Sequence, residues 1–195
     1  FALESHRRAI SAIRNGYFTS QILPIDVTTR GKVVVFDTDE HPRDNVDLEK
    51  LSKLPSIFQE NGTVTAGNAS GINDGAAAVV LCDATIAESE HLQPIARLVA
   101  YGHAGVDPKY MGMGPIPAVQ QALRRACLTL EDIDIIESNE AFAVQACAVA
   151  RELGFDPSRT NPNGGAVAFG HPIGATGCIL TIRAIYELHR IKGRY

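Results

Sequence analysis

The sequence has no Cys-x-x-Cys pair, no run of like charges and no apolar stretch of membrane-spanning length, and each absence removes a class of function. Its four cysteines, Cys82, Cys127, Cys147 and Cys178, stand far apart, a spacing that suits neither a zinc knuckle nor a secreted disulfide framework and points to a reducing compartment. Lys and Arg total 18 against 22 Asp and Glu, scattered along the chain, so no basic stripe is available for a phosphate backbone and nucleic acid is not an expected partner. The longest unbroken apolar run, Ala76 to Cys82, falls far short of the roughly 20 residues a bilayer span needs, and no charged-then-apolar leader opens the sequence. A soluble, cytoplasmic protein without a membrane partner is therefore expected. With 195 residues, 45% of them hydrophobic, the chain can bury one or two cores.

Periodicity sketches the elements. Phe1 to Ala12 has helical spacing until Asn15-Gly16 stops it, so the chain reads as beginning inside a helix. Lys32 to Phe36 is a short β-rich run, followed by a charged loop from Asp37 to Asp47 and a helix from about Leu48 to Leu54. Ala76 to Cys82, unbroken in small and β-branched apolar residues, suits a strand buried on both faces, and Ile95 to Tyr101 suits another. Helices are expected around Asp83 to Ser89, from Pro117 to about Cys127, from Asn139 to Leu153, and through Ile179 to about Ile191. Thr129-Leu-Glu-Asp132 resembles a capping box, although the residues after it, Ile133 to Ile136, look like a strand. Alternating strand and helix signals predict a layered α/β sheet.

Three loops place polar atoms at the tips of elements backed by apolar core. In Asn161-Pro-Asn-Gly-Gly-Ala-Val-Ala-Phe-Gly-His-Pro-Ile-Gly-Ala-Thr-Gly177, His171 sits on a tight turn before a helix. Its ring either bonds its own loop or faces a cavity. The glycine spacing there fits neither a dinucleotide fingerprint nor a phosphate loop. In Glu137-Ser-Asn-Glu-Ala-Phe142, Asn139 either caps the following helix or points its amide at a ligand or water. Ala66 to Gly75 either presents backbone N–H groups and Ser70 to a polar ligand or is an ordinary glycine-rich turn. Cys178, near the start of the last helix, admits a nucleophile reading beside His171, but packing is the commoner role of such cysteines; Cys147 is read as core.

Asn139-Glu-Ala-Phe142 followed by Gly170-His-Pro-Ile-Gly174 resembles the paired signature of the thiolase family. The resemblance extends to Phe1–Ala9, Asp39-Glu40-x-x-Arg43, Thr65-Ala-Gly-Asn-Ala-Ser-Gly71 and Met111-Gly-Met-Gly-Pro-Ile-Pro117, in the family's order. It implies an α/β fold of layered αβαβα architecture with mixed sheets, incomplete in this chain. On that mapping residues 1–62 are part of a loop subdomain, 63–92 finish the first half, and 93–195 are a second half without its last strands. The implied activity is acyl transfer between acyl-CoA and acetyl-CoA, making or cleaving short-chain 3-ketoacyl-CoA, as in fatty acid metabolism. Coenzyme A enters as substrate, with no separate cofactor and no metal. A homodimer or homotetramer is the family's habit.

By the same resemblance His171 would activate a nucleophilic cysteine, and Asn139 would hold a water, both serving the thioester oxyanion. Arg43 would meet the nucleotide end of CoA and Ser70 its pantetheine arm. Phe58, Ala66, Gly71 and Ala141 would complete the substrate surface, with Met111 and Phe142 lining the acyl tunnel. The family's nucleophilic cysteine lies upstream of the position matching Phe1, and its acid/base cysteine lies after the position matching Tyr195; neither is in this sequence, and Cys178 does not match either. The segment Asp44-Asn-Val-Asp47 also departs from the family's Thr-Thr. Isolated, the chain is therefore expected to be inactive; the alternatives are a CoA or acyl-CoA binding module and an interaction fragment.

Overall fold

A computed structural model describes all 195 residues. Helix α1, Ala2–Arg14, opens the chain, with Glu4 in its first turn bridging Arg7 and Arg8 at 2.6 and 2.7 Å. Its inner face is Ala2, Ser5, His6, Ala9 and Ala12. Ser5 and Ala9 are small where the backbone of Gly164 lies against them: a Cβ there would strike Ser5 O and Ala9, and φ is +82°. Beneath α1 lies a four-residue helix, α6 (Ala166–Phe169), whose Ala166, Val167 and Ala168 are buried.

A hairpin follows α1. Strands β1 (Ile25–Thr29) and β2 (Lys32–Phe36) pair antiparallel, with Thr29 opposite Lys32. Arg30 and Gly31 have φ of +50° and +76°, the turn that matches the strand twist of a two-residue hairpin. Sequence reading found β2 but not β1. Short helices α2 (Leu48–Ser52) and α3 (Ala84–Ser89) are capped by Asp47 and Asp83, whose carboxylates accept from Lys50 N and Thr85 N.

The remaining helices build the second part of the chain. A 3₁₀ turn, Pro108–Met113, leads into α4 (Pro115–Ala126), with Pro115 in its first turn, so the helix starts two residues before the expected Pro117. The capping box at Thr129 and Asp132 forms and yields only the turn Leu130–Asp132. Helix α5 (Ala143–Leu153) ends on Gly154 at φ +72°, and α7 (Ile173–Ile191) starts directly after Pro172. The C-terminal residues fold back: Arg194 N and Tyr195 N donate to Asp134 Oδ2 at 2.6 and 3.1 Å.

Three strand expectations are corrected. Ala76–Cys82 and Ile95–Tyr101 form no strand, and no backbone hydrogen bond joins either segment to another. Both are exposed, with Val80 at 97% and Leu98 at 68%. An unbroken apolar run is a strand only when neighbouring strands satisfy its N–H and C=O groups and helices cover its faces. No strand pairs with either segment, and helices reach the second only through side chains, His189 to Ile95 O and Arg125 to Tyr101 O, each at 2.8 Å. Ile133 to Ile136 shrinks to one parallel bridge, Ile136 to Thr160. Cys147, expected in the core, is exposed: the inner face of α5 runs Ala143, Ala146, Val149, and Cys147 falls one position off it.

Val167 is 2% exposed and Val80 is 97% exposed. Val167→Ala should therefore destabilise the chain by about 1.5–3 kcal/mol, and Val80→Thr should leave it within about 0.5 kcal/mol. Urea midpoints at equal slope compare the two; equal midpoints would refute this placement of the core.

Candidate active site

Two segments, 136–142 and 159–171, run side by side and are joined by successive hydrogen-bonded rungs. Ile136 N donates to Arg159 O at 2.9 Å and Asn161 N to Ile136 O at 2.8 Å. One step further the Asn161 side chain takes over the role of a strand. Its Oδ1 accepts from Ser138 N and its Nδ2 donates to Ser138 O, both at 2.7 Å. Asn161 holds a φ of +44° to do so, a conformation that Asn tolerates better than most residues. Next comes Glu140, 2% exposed, accepting from Asn161 Nδ2 at 2.9 Å and Val167 N at 3.1 Å.

The last rung is the one with chemical potential. Asn139 Nδ2 and His171 Nε2 lie 3.2 Å apart. On the other side of the ring, His171 Nδ1 is 2.7 Å from Thr176 Oγ1, whose own proton goes to Pro172 O at 2.9 Å. With its hydrogen so engaged, the Thr176 hydroxyl can only accept, which places the ring proton on Nδ1 and leaves Nε2 as an acceptor for the Asn139 amide. Asn139 Oδ1 is buried without a protein partner. The pair thus presents a half-buried imidazole whose Nε2 faces the Asn139 amide, and an amide oxygen available to a water or ligand.

Of the two readings open for Asn139, capping fails: α5 begins at Ala143, with Phe142 in the cap position. For His171 one nitrogen bonds the helix that follows its own loop and the other faces Asn139.

The glycine-rich loop closes over this pair. His171 N donates to Gly71 O at 2.9 Å, Ser70 N to Ala141 O at 3.0 Å, and Ala143 N to Asn68 O at 2.8 Å, with Ala69 and Phe142 forming an antiparallel bridge. Phe58 stands edge-on to Phe142 at 5.9 Å. Gln145 Nε2 donates to Gly112 O at 3.0 Å, which brings the turn bearing the exposed Met111 onto α5. Ser70, Gly71, Ala141, Phe142, Phe58, Asn139 and His171 are thus gathered in one place, with Met111 at its rim. Ala66 is exposed on the outer turn, and Arg43 is exposed, anchored only through its backbone N to His6 Nδ1 at 3.2 Å. Thr176 and Asn161 escaped the sequence reading as functional. Only the five-residue spacing of Thr176 from His171, one turn into a helix, hinted at it.

Behind the pair lies a buried charge cluster. Arg183 Nε is 3.5 Å from Glu137 Oε2, its guanidinium bonds Gly164 O, and it stacks over Phe169 at 4.9 Å. Asn163 Nδ2 reaches Glu187 Oε2 at 2.8 Å. Burial pushes the Glu137 carboxyl up to about 7 despite Arg183, and the neighbouring Glu140 and Glu187 carboxylates add to the rise.

Comparison with known proteins places these features in context. Residues 1–85 match the family description "Thiolase, N-terminal domain" and residues 92–195 match "Thiolase, C-terminal domain". The beta-ketothiolase BktB of Cupriavidus necator is 58% identical over 195 residues, covering 100% of this chain and 50% of that protein. The crystal structure of Bacillus anthracis acetyl-CoA acetyltransferase superposes with a TM-score of 0.95 at 51% identity, over 98% of this chain and 48% of that one. Human mitochondrial 3-ketoacyl-CoA thiolase in complex with CoA gives 0.90 at 43% identity, over 98% and 48%. The chain thus spans about half the length of the relatives it matches, and the layered α/β class expected from sequence is the class of these structures.

Two outcomes are expected from this geometry. Gly170 has a φ of +90°, and a Cβ on it would overlap the Asn73 side chain; Gly170→Ala should destabilise by about 1–3 kcal/mol and displace the His171 ring signals in an NMR spectrum. Glu137 keeps its proton to a higher pH in the native state than in the unfolded one, so the native state binds more protons between about 4.5 and 7. Its contribution is complete below about 4.5 and is lost as pH rises through about 7, a fall on the order of 3 kcal/mol. Glu137→Gln should flatten that part of a stability–pH curve, and an unchanged slope would refute the assignment.

Proposed function

The chain belongs to the thiolase family, and on that premise we propose that it works in an enzyme transferring acyl groups between CoA thioesters, condensing or cleaving short-chain 3-ketoacyl-CoA. The observation that carries the reading is the Asn139–His171 pair: Nε2 3.2 Å from an amide whose buried oxygen has no protein partner. In the proposed cycle a cysteine thiol, from outside these 195 residues, gives its proton to His171 Nε2. The thiolate attacks the acyl-CoA carbonyl carbon; the carbon–sulfur bond to CoA breaks, and CoA leaves with the proton. A base then removes the α-proton of acetyl-CoA and the resulting carbanion attacks the acyl-enzyme carbonyl; the carbon–sulfur bond to the cysteine breaks, and the departing thiolate regains a proton as the base gives its own up. Thiolytic cleavage is the same path reversed. Oxyanion charge at the first addition would be met by the Nε2–H that His171 then carries and by a water held on Asn139 Oδ1.

For the rest of the site we propose the assignments read from sequence. Ser70 faces the pantetheine arm, Arg43 the nucleotide end, Met111 and Phe142 the acyl tunnel, and Phe58, Ala66, Gly71 and Ala141 complete the substrate surface. Support comes from the gathering of these loops around the pair and from the CoA bound in the human relative. CoA is substrate here, and no further cofactor is invoked. Four free cysteines suit a reducing compartment such as the cytoplasm. The exposed apolar segments suit burial in a homodimer or homotetramer. A binding module without turnover is the second reading, favoured by one fact: none of the four cysteines hydrogen-bonds within the His171 network.

Acetoacetyl-CoA thiolysis tests both. The 195-residue chain should show none, and a protein extended to its relatives' length should be active. In the extended protein His171→Ala should lose about 10²–10⁴-fold and Asn139→Ala about 10²-fold or more in kcat. Activity in the short chain would overturn the missing-nucleophile reading. CoA binding measured by calorimetry without turnover in the extended protein would favour the binding module.

A further inference from the structure

We propose that Glu140 is the positioning residue of the Asn139–His171 pair, its buried carboxylate acting as the shared acceptor that holds the loop carrying His171 against the segment carrying Asn139. The inference rests on the reading of that pair as catalytic and adds the group that sets the distance between its members.

Neighbouring residues 139 and 140 send their side chains to different partners. Asn139 meets His171. Glu140 meets Ser5 Oγ at 2.7 Å and Val167 N at 3.1 Å through Oε2, and Asn161 Nδ2 at 2.9 Å through Oε1. These donors come from α1, from α6 and from the turn before α6. Val167 lies four residues before His171, within the short helix that ends at Phe169 and delivers the chain to Gly170. A shift at Val167 is therefore carried directly to the imidazole. The carboxyl group also fills the space over Gly165, where a Cβ would overlap it.

Only an acceptor-only group satisfies this arrangement. Asn161 cannot turn its amide to offer an oxygen, because Oδ1 and Nδ2 are both committed to Ser138. Ser5 Oγ already accepts from Gly165 N at 3.0 Å, so its single proton belongs to Glu140. A backbone N–H cannot reverse at all. Glutamine has the same shape but one NH₂, which must face either Asn161 Nδ2 or the Ser5 and Val167 donors. One contact becomes a donor–donor repulsion while the packing is unchanged.

The test is a long-range ¹H–¹⁵N spectrum of the His171 ring in the 195-residue chain, assigned by its disappearance in His171→Gln. Glu140→Gln should move the Nε2 resonance and its pH midpoint; Ser5→Ala, which removes one donor, should move them less. In the extended, active protein Glu140→Gln should lower kcat by about 10–100-fold with KM within about threefold. Unmoved His171 resonances in folded Glu140→Gln, or an unchanged kcat, overturn the proposal. If Glu140→Gln does not fold, folded Ser5→Ala decides in the same way. Failure of the catalytic reading is distinguishable: His171→Ala would then retain thiolysis in the extended protein, whatever the ring resonances do.

Discussion

The hydrogen bonds accepted by Glu140 join parts of the chain that are remote in sequence: Ser5 on α1, Asn161 on a turn, Val167 on α6. Removing a carboxylate from water costs several kcal/mol, and the cost is offset only when its lone pairs are well used. Here charge-assisted bonds to three donors use them. Around this group the rungs from Ile136 to Asn161 on one side and the Asn139–His171 contact on the other fall into register. Remove the acceptor and buried donors are left facing each other, which is more damaging than losing one bond among many.

Packing against this polar core is close because the residues are small. Alanines on α1, α5 and α6 make up half of the buried hydrophobic side chains or more, and small faces let backbones approach within reach of side-chain hydrogen bonds. Arg183 of α7 then covers the cluster, carrying its charge to Glu137 and its flat guanidinium over Phe169 and Phe18. Planar stacking and ion pairing together suit arginine better than lysine at such a position. The elevated Glu137 carboxyl follows first from its burial, which Arg183 offsets only in part, and then from the carboxylates of Glu140 and Glu187 nearby.

A contrasting region surrounds residues 72–82 and 93–100. Their backbones make no hydrogen bonds with one another, only Ile95 O meets a helix, through His189 Nε2 at 2.8 Å, and large apolar side chains such as Ile72, Val80 and Leu98 are in water. A layered α/β protein gets its central strength from sheets whose every strand has neighbours. This chain spans about half the length of its relatives, and the helices that bear on the site keep their packing through local polar stitching rather than through a sheet.

Much was legible from one-dimensional pattern. Helices α1, α4, α5 and α7 follow from apolar spacing and from breakers such as Asn15-Gly16 and Gly154, with the start of α4 set at Pro117 rather than Pro115, because a helix satisfies its own backbone and needs only a face to bury. The two signature loops, and with them Asn139 and His171, stood out as polar tips before helices. What the pattern misjudged were Ala76–Cys82 and Ile95–Tyr101, since a strand's hydrogen bonds come from elsewhere and composition does not say whether elsewhere is present. Nor could it choose between cap and ligand roles for Asn139, or between the two roles of His171. The sequence by itself determined which residues could bear polar chemistry and where the self-sufficient helices lie. Only the tertiary structure decided that Asn139 meets His171 across 3.2 Å, that Thr176 fixes the ring and that Glu140 binds both sides together, because those are long-range contacts whose geometry depends on where every intervening segment packs.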